Sequence, residues 1–207
     1  MMRGRGSSDM SNTGLWRFTW VVTAFVIIDA LWNPIVLGTA FVAPDLFRAY
    51  ITPRASTVDS GALIFKLATF AIFAAWIYMA GRKLAQRDEI HLEFSAASRI
   101  WWFFVPVASL WKPFEGMREL WNASRGVEPH DTNNWLIGIW WTLYLAVAIT
   151  GVVGSALAES GGRASLTVLV ILYAVEAARA TVAIPMIHGI ATGLSGAVEH
   201  PLVEVFA

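Results

Sequence analysis

The sequence predicts an all-α integral membrane protein with four transmembrane helices. A re-entrant or half-span segment and an amphipathic cytoplasmic surface helix lie between helices two and three. Three observations predict this. Only 14% of the 207 residues are charged and 57% are hydrophobic, whereas soluble domains carry about 25% charged residues. The charges are clustered, with seven of the fifteen lysines and arginines between Arg82 and Arg125. Eleven tryptophans are present, and tryptophan concentrates where bilayer meets water.

The same composition excludes several classes. The net charge is zero, so no global field recruits nucleic acid. There is no cysteine, which removes disulfides, thiolate metal sites and a cysteine nucleophile.

Residues 1–14 are polar, small and basic, and read as a mobile cytoplasmic start. A single transmembrane domain then covers 15–190. Its spans are expected at about 15–42, 60–80, 135–157 and 164–190. Each approaches or exceeds the roughly twenty apolar residues that cross a bilayer. Each should be a helix, because a helix satisfies its own backbone in lipid. The first run has a basic flank and the small residues Gly38 and Ala40, as a signal peptide could. It is far longer than the seven to fifteen residues of a secretory core and contains Asp29, so it reads as a retained span. Residues 191–207 read as a cytoplasmic tail.

Lysine and arginine set the orientation. The amino-terminal flank carries Arg3, Arg5 and Arg17, and the central segment carries the seven noted above. The loop between spans one and two has only Arg48 and Arg54, and the loop between spans three and four only Arg163. Basic residues stay on the cytoplasmic side, so both termini and the central segment are expected there. Pro44 suits the opening of a helical turn in the first outer loop. Ala148, Gly151 and Ser155 form a small-residue stripe on span three, and Gly189 with Gly193 another on span four. Such stripes let helices approach closely.

Few residues could carry chemistry. Asp29, Glu176 and Arg179 lie near mid-bilayer by residue counting. An ionised side chain there costs about 2.5 to 3.5 kcal/mol on insertion scales. Glu176 and Arg179 are three apart and can pair within span four, and Arg179 is also the obvious partner for Asp29. A structural ion-pair network is the preferred reading, and a proton, ion or substrate site the alternative. Lys66 is expected to snorkel toward the outer interface. His188 is expected near the cytoplasmic end of span four, with no second histidine in a span to suggest haem. No phosphate loop and no catalytic constellation is found, so no enzyme, cofactor or metal is expected.

Between spans two and three the chain reads IWWFFVPVASLWKPFEGMRELW. Residues 100–111 are half the length of a span. Trp101 and Trp102 begin the stretch, Pro106 interrupts it, and Trp111 with Lys112 ends it. This predicts a proline-broken dip into the inner leaflet. Its alternative is a fifth, tilted span over 94–111. Pro113 then suits the first turn of a surface helix over 113–124. Phe114, Met117 and Trp121 form its apolar stripe, and Lys112, Glu115, Arg118 and Glu119 take the other positions.

Trp101, Trp102, Pro106, the Leu110–Pro113 "LWKP" step and the Met117–Trp121 "MRELW" run together resemble a bacterial membrane-protein family designated domain of unknown function 4328. The likeness covers most of the chain from about Leu15 to Ile190. The family often has serine-proline-glycine where this chain has Ser95-Ala-Ala-Ser98. The resemblance implies an integral bacterial membrane protein and supplies no activity; the inner membrane is the expected location. Membrane lipids, other membrane subunits or self-association are the expected partners. The expected role is an accessory or scaffold subunit, with a minimal transporter or lipid-handling protein as the alternative.

Overall fold

The computed structural model describes residues 5–87, 91–127, 135–158 and 163–196. The described residues form helices and turns, with no strand among them. Four helices are long and apolar enough to cross a membrane: Gly14–Val42, Pro44–Leu84, Trp135–Leu157 and Leu166–Ser195. The first and third fall close to the expected bounds. The second begins sixteen residues before 60, because the outer loop is itself helical. Pro44 opens a short turn, α2 (Pro44–Leu46). This continues through a π-helical turn, Phe47–Ile51, and a 3-10 turn, Thr52–Arg54, into α3 (Ala55–Leu84).

Helix α1 (Arg5–Val42) starts well before Leu15, so the expected mobile start is helical from Arg5. Residues 1–4 lie outside the described residues. Helix α6 is Trp135–Ala158 and helix α7 is Arg163–Gly196. Part of the expected tail is therefore helix, and 197–207 lie outside the described residues.

The chain divides into two compact units. The first comprises Met1–Trp20, Ala74–Gly138 and Pro185–Ala207. It holds the most tightly packed apolar side chains: Trp76, Ile77, Leu84, Leu120, Ile137, Met186, Ile187, Ile190 and Leu194 are all essentially inaccessible. Trp76 donates its indole N–H to Thr19 Oγ1 at 3.0 Å, fixing α3 to α1. Helix α5 (Lys112–Ser124) packs here. Its buried face is Pro113, Gly116, Met117, Leu120, Ala123 and Ser124, which recur at three and four residues.

That face differs from the expected Phe114–Met117–Trp121 stripe. The small residues set it, because they admit α7. A Cβ on Gly189 would lie 2.7 Å from the Trp121 ring, and one on Gly193 would lie 2.7 Å from Ser124 O. The Gly189–Gly193 stripe thus receives α5 rather than another span.

The second unit comprises Val21–Phe73 and Ile139–Ile184. Phe25 stacks on Phe65 with ring centroids 5.2 Å apart, and Trp141 on Tyr144 at 4.8 Å. Its buried residues are largely small or polar, including Thr23, Asp29, Thr69, Glu176 and Ala180. The Ala148–Gly151–Ser155 stripe is not covered in this unit: nothing lies within 4 Å of a Cβ placed on Gly151. The close approach of α6 to α7 is made instead by Gly154, whose Cβ would meet Val168 at 3.5 Å.

Gly193→Leu should lower stability by about 1 to 3 kcal/mol through overpacking against Ser124. Gly151→Ala should stay within about 0.5 kcal/mol of the parent. Thermal unfolding of the two variants in the same detergent checks this.

A charge clamp beneath an exposed apolar loop

Between α3 and α5 the chain makes no fifth helix. A single turn, α4 (Ser98–Trp101), is followed by irregular turns and a 3-10 turn, Ala108–Leu110. Pro106 disfavours helix at the residue before it. Val107 then adopts φ 65°, a conformation costly for a β-branched residue, and the chain reverses. The sharp turn that serine-proline-glycine would give is made by hydroxyls. Ser98 N–H donates to Ser95 Oγ, and Ser98 Oγ–H donates to Ser95 O, both at 3.1 Å.

A buried ion pair holds this segment. Arg99 is 1% exposed and Glu119 3% exposed, and Arg99 Nη2 donates to Glu119 Oε2 at 2.7 Å. Arg99 Nε also donates to Gly116 O at 3.3 Å. The backbone N–H groups of Glu93 and Phe94 both donate to the Glu119 carboxylate, Phe94 at 3.2 Å. One carboxylate therefore gathers α4, α5 and the bend at 93–94.

Two glycines make room for the guanidinium. A Cβ on Gly81 would lie 2.9 Å from Arg99 Nη1, and one on Gly116 would lie 3.3 Å from Arg99 Cγ. Burial pulls the Arg99 guanidinium below its usual value, and Glu119 opposes the shift, so the group stays charged. The structure thus corrects the placing of Glu119 on the solvent side of α5.

The clamp supports an apolar display. Trp101, Phe104, Val107, Leu110 and Trp111 are between 45% and 66% exposed. Trp102 and Phe114 are half-buried, and Pro106 is exposed. At the foot of the loop Lys112 pairs with Glu115 at 2.7 Å and Glu93 at 3.7 Å, and lies over the Phe94 ring at 5.3 Å. Glu115, then Glu93, hold the Lys112 ammonium above its usual value.

The membrane-depth charges meet in the second unit. Arg179 Nη2 lies 4.0 Å from Asp29 Oδ2, at the limit of an ion pair. Glu176 does not take Arg179. Its Oε1 receives the Lys66 ammonium, so Lys66 turns inward instead of snorkelling, although its side chain remains 42% exposed. Glu176 is 5% exposed, and its Oε2 has no hydrogen-bond partner, nor has Arg179 Nε. Tyr144 is within electrostatic reach of Arg179, and Tyr173 of Glu176. In the first unit His188 meets the Trp16 and Trp20 rings edge-on, at 5.5 and 4.7 Å. Among the described residues no three His, Asp or Glu stand close enough to share a metal.

Sequence reasoning missed Arg99, Glu119, Gly81, Gly116 and Lys66 as partners. One signal was available: a glycine inside a helix costs about 1 kcal/mol and needs a reason, and Gly116 lies one turn before Glu119.

Four helices long and apolar enough to cross a bilayer define a multi-pass α-helical membrane protein. The chain belongs to the family described as Domain of unknown function (DUF4328), which matches residues 50–192. That match contains the whole clamp and loop. No curated protein and no solved structure matches the chain.

Glu119→Gln leaves Arg99 buried without a counter-charge, and should cost about 3 to 5 kcal/mol. Glu115→Gln loses only a half-exposed pair, worth about 0 to 1 kcal/mol. Melting temperature in detergent, with protease sensitivity of residues 91–111, checks the contrast.

Proposed function

We propose that the protein is a non-enzymatic accessory or scaffold subunit of a bacterial inner-membrane assembly. Both termini and the central segment face the cytoplasm in this reading, as the distribution of lysine and arginine favours. One observation carries it: the buried charge of the first unit holds up a loop whose six exposed residues are all apolar. A catalyst keeps its charged groups accessible to a substrate. Here Arg99 and Glu119 are closed off from solvent, and in this reading the exposed apolar loop beside them is the docking surface.

Residues 101–111 carry no charge. In this reading they seat in the inner leaflet as a half span, with α5 along the cytoplasmic surface. Several of their backbone groups find partners within the segment, such as Ser109 N–H on Val105 O at 2.8 Å, as a dip into hydrocarbon favours. The face left by the loop and α5 takes another membrane subunit or a second copy of the chain.

A second reading has its own observation. The unpartnered Glu176 Oε2 and Arg179 Nε, beside Asp29 and Lys66, suit a small transporter or lipid-handling protein with a site among its spans. Lys66→Met should unfold much of the protein by stranding Glu176, and Lys66→Met with Glu176→Leu should refold it. Return of both fold and cellular phenotype makes the pair structural. A folded double variant without phenotype favours the second reading.

The accessory reading is tested by purification from native membranes in mild detergent. It predicts a stoichiometric partner or a defined oligomer, lost in Val107→Asp. A monodisperse monomer with no companion contradicts it, and a carboxy-terminal tag exposed outside the cell contradicts the orientation.

A further inference from the structure

Beside its buried face, α5 carries a second stripe that the clamp does not use; at its far end the Trp121 ring and Arg125 Nη2 rest against Gly189 of α7. Phe114, Arg118, Trp121 and Arg125 follow one another at four, three and four residues, and so share one side of the helix. The Arg118 guanidinium lies over the Phe114 ring at 5.4 Å, and that of Arg125 over the Trp121 ring at 3.4 Å from its centroid. The motif is therefore the same aromatic–arginine pair repeated after seven residues. Each guanidinium is held on a π face, an arrangement that fixes its plane.

Among the described residues the charge around the stripe is unbalanced. Arg99 is matched by Glu119, and Lys112 by Glu115 and Glu93. Among the described residues neither Arg118 nor Arg125 has a carboxylate within 4.0 Å. Two fixed positive charges remain on one face of a helix that also carries Trp121. Arg125 Nη1 donates to Trp121 O at 3.1 Å, which steadies it without neutralising it. Each arginine stacks toward its own preceding turn. The two guanidinium groups therefore stay about one heptad apart, roughly 10 Å along the axis.

We infer that the Phe114–Arg118–Trp121–Arg125 stripe binds the phosphates of anionic phospholipid headgroups. A planar guanidinium fork is matched to phosphate oxygens. The apolar loop ending at Trp111 immediately precedes α5 and brings it to headgroup level; this step rests on the leaflet-seated loop proposed above. Cytoplasmic leaflets carry the anionic lipids that basic segments attract. The inference gives the arginine and last tryptophan of the "MRELW" run a shared purpose distinct from that of its glutamate.

The test uses the full chain purified in detergent and titrated with phosphatidylglycerol or phosphatidylcholine, with bound lipids counted by native mass spectrometry. Wild type should favour phosphatidylglycerol. Arg118→Gln and Arg125→Gln should each lower that preference about three- to tenfold, with melting temperature unchanged. Arg118→Lys should recover part of it, which covers the case in which Arg118→Gln fails to fold. Equal phosphatidylglycerol preference in wild type and the double glutamine variant overturns the inference. Displacement of the lipid by millimolar inorganic phosphate makes the stripe a free-phosphate site and overturns it as well. Val107→Asp separates the two levels: failure of the loop lowers both lipids together, whereas failure of the stripe removes only the preference between them.

Discussion

The arrangement of the first unit depends on one buried carboxylate. Glu119 accepts from the Arg99 guanidinium and from two consecutive backbone N–H groups. Hydrogen bonds to a charged group contribute about 1.5 to 3 kcal/mol each, and removing a partner exposes the cost of a buried charge. The requirement propagates outward. Arg99 can be buried only because Gly81 and Gly116 present no side chain on either side of it. Helix α5 can carry Glu119 inward only because Gly189 and Gly193 let it lie against α7. The loop from Trp101 to Trp111, with its strained Val107, is then held at both ends. Six apolar residues of the loop stay exposed.

The second unit follows a different rule. Its charges sit in helices that cross the membrane, where each needs a partner at its own depth. Lys66 supplies one by turning its ammonium onto Glu176, and Asp29 with Arg179 makes a looser pair. These two acids and two bases balance one another. The balance suits a framework that fixes which helices pair, while the free Glu176 oxygen and Arg179 nitrogen keep a small polar ligand in view.

Much of this was legible in the sequence. Four spans follow from length and scarcity of charge, and the break at Pro106 with a new helix near Pro113 follows from proline chemistry. What was not legible depended on pairs distant along the chain. Arg99 and Glu119 are twenty residues apart, and periodicity alone assigns every charge on an amphipathic helix to water. The aromatic stripe drew attention on α5, yet packing against glycines decided its buried face. Lys66 was read from the length of its stem; its partner Glu176 lies 110 residues later. The hydroxyl-built turn at Ser95–Ser98 had no proline or glycine to announce it.

The central claim is that the Glu119 carboxylate holds the approach to the loop. Residues 93 and 94 belong to no helix or sheet, so ordinary loop amides there would exchange rapidly. Amide hydrogen exchange of the detergent-solubilised protein measures this directly. The Glu93 and Phe94 amides should be protected to the same degree as the core of α5, and should lose that protection together in Glu119→Gln. Exchange of these two amides at the rate of an open loop in the parent protein would contradict the account.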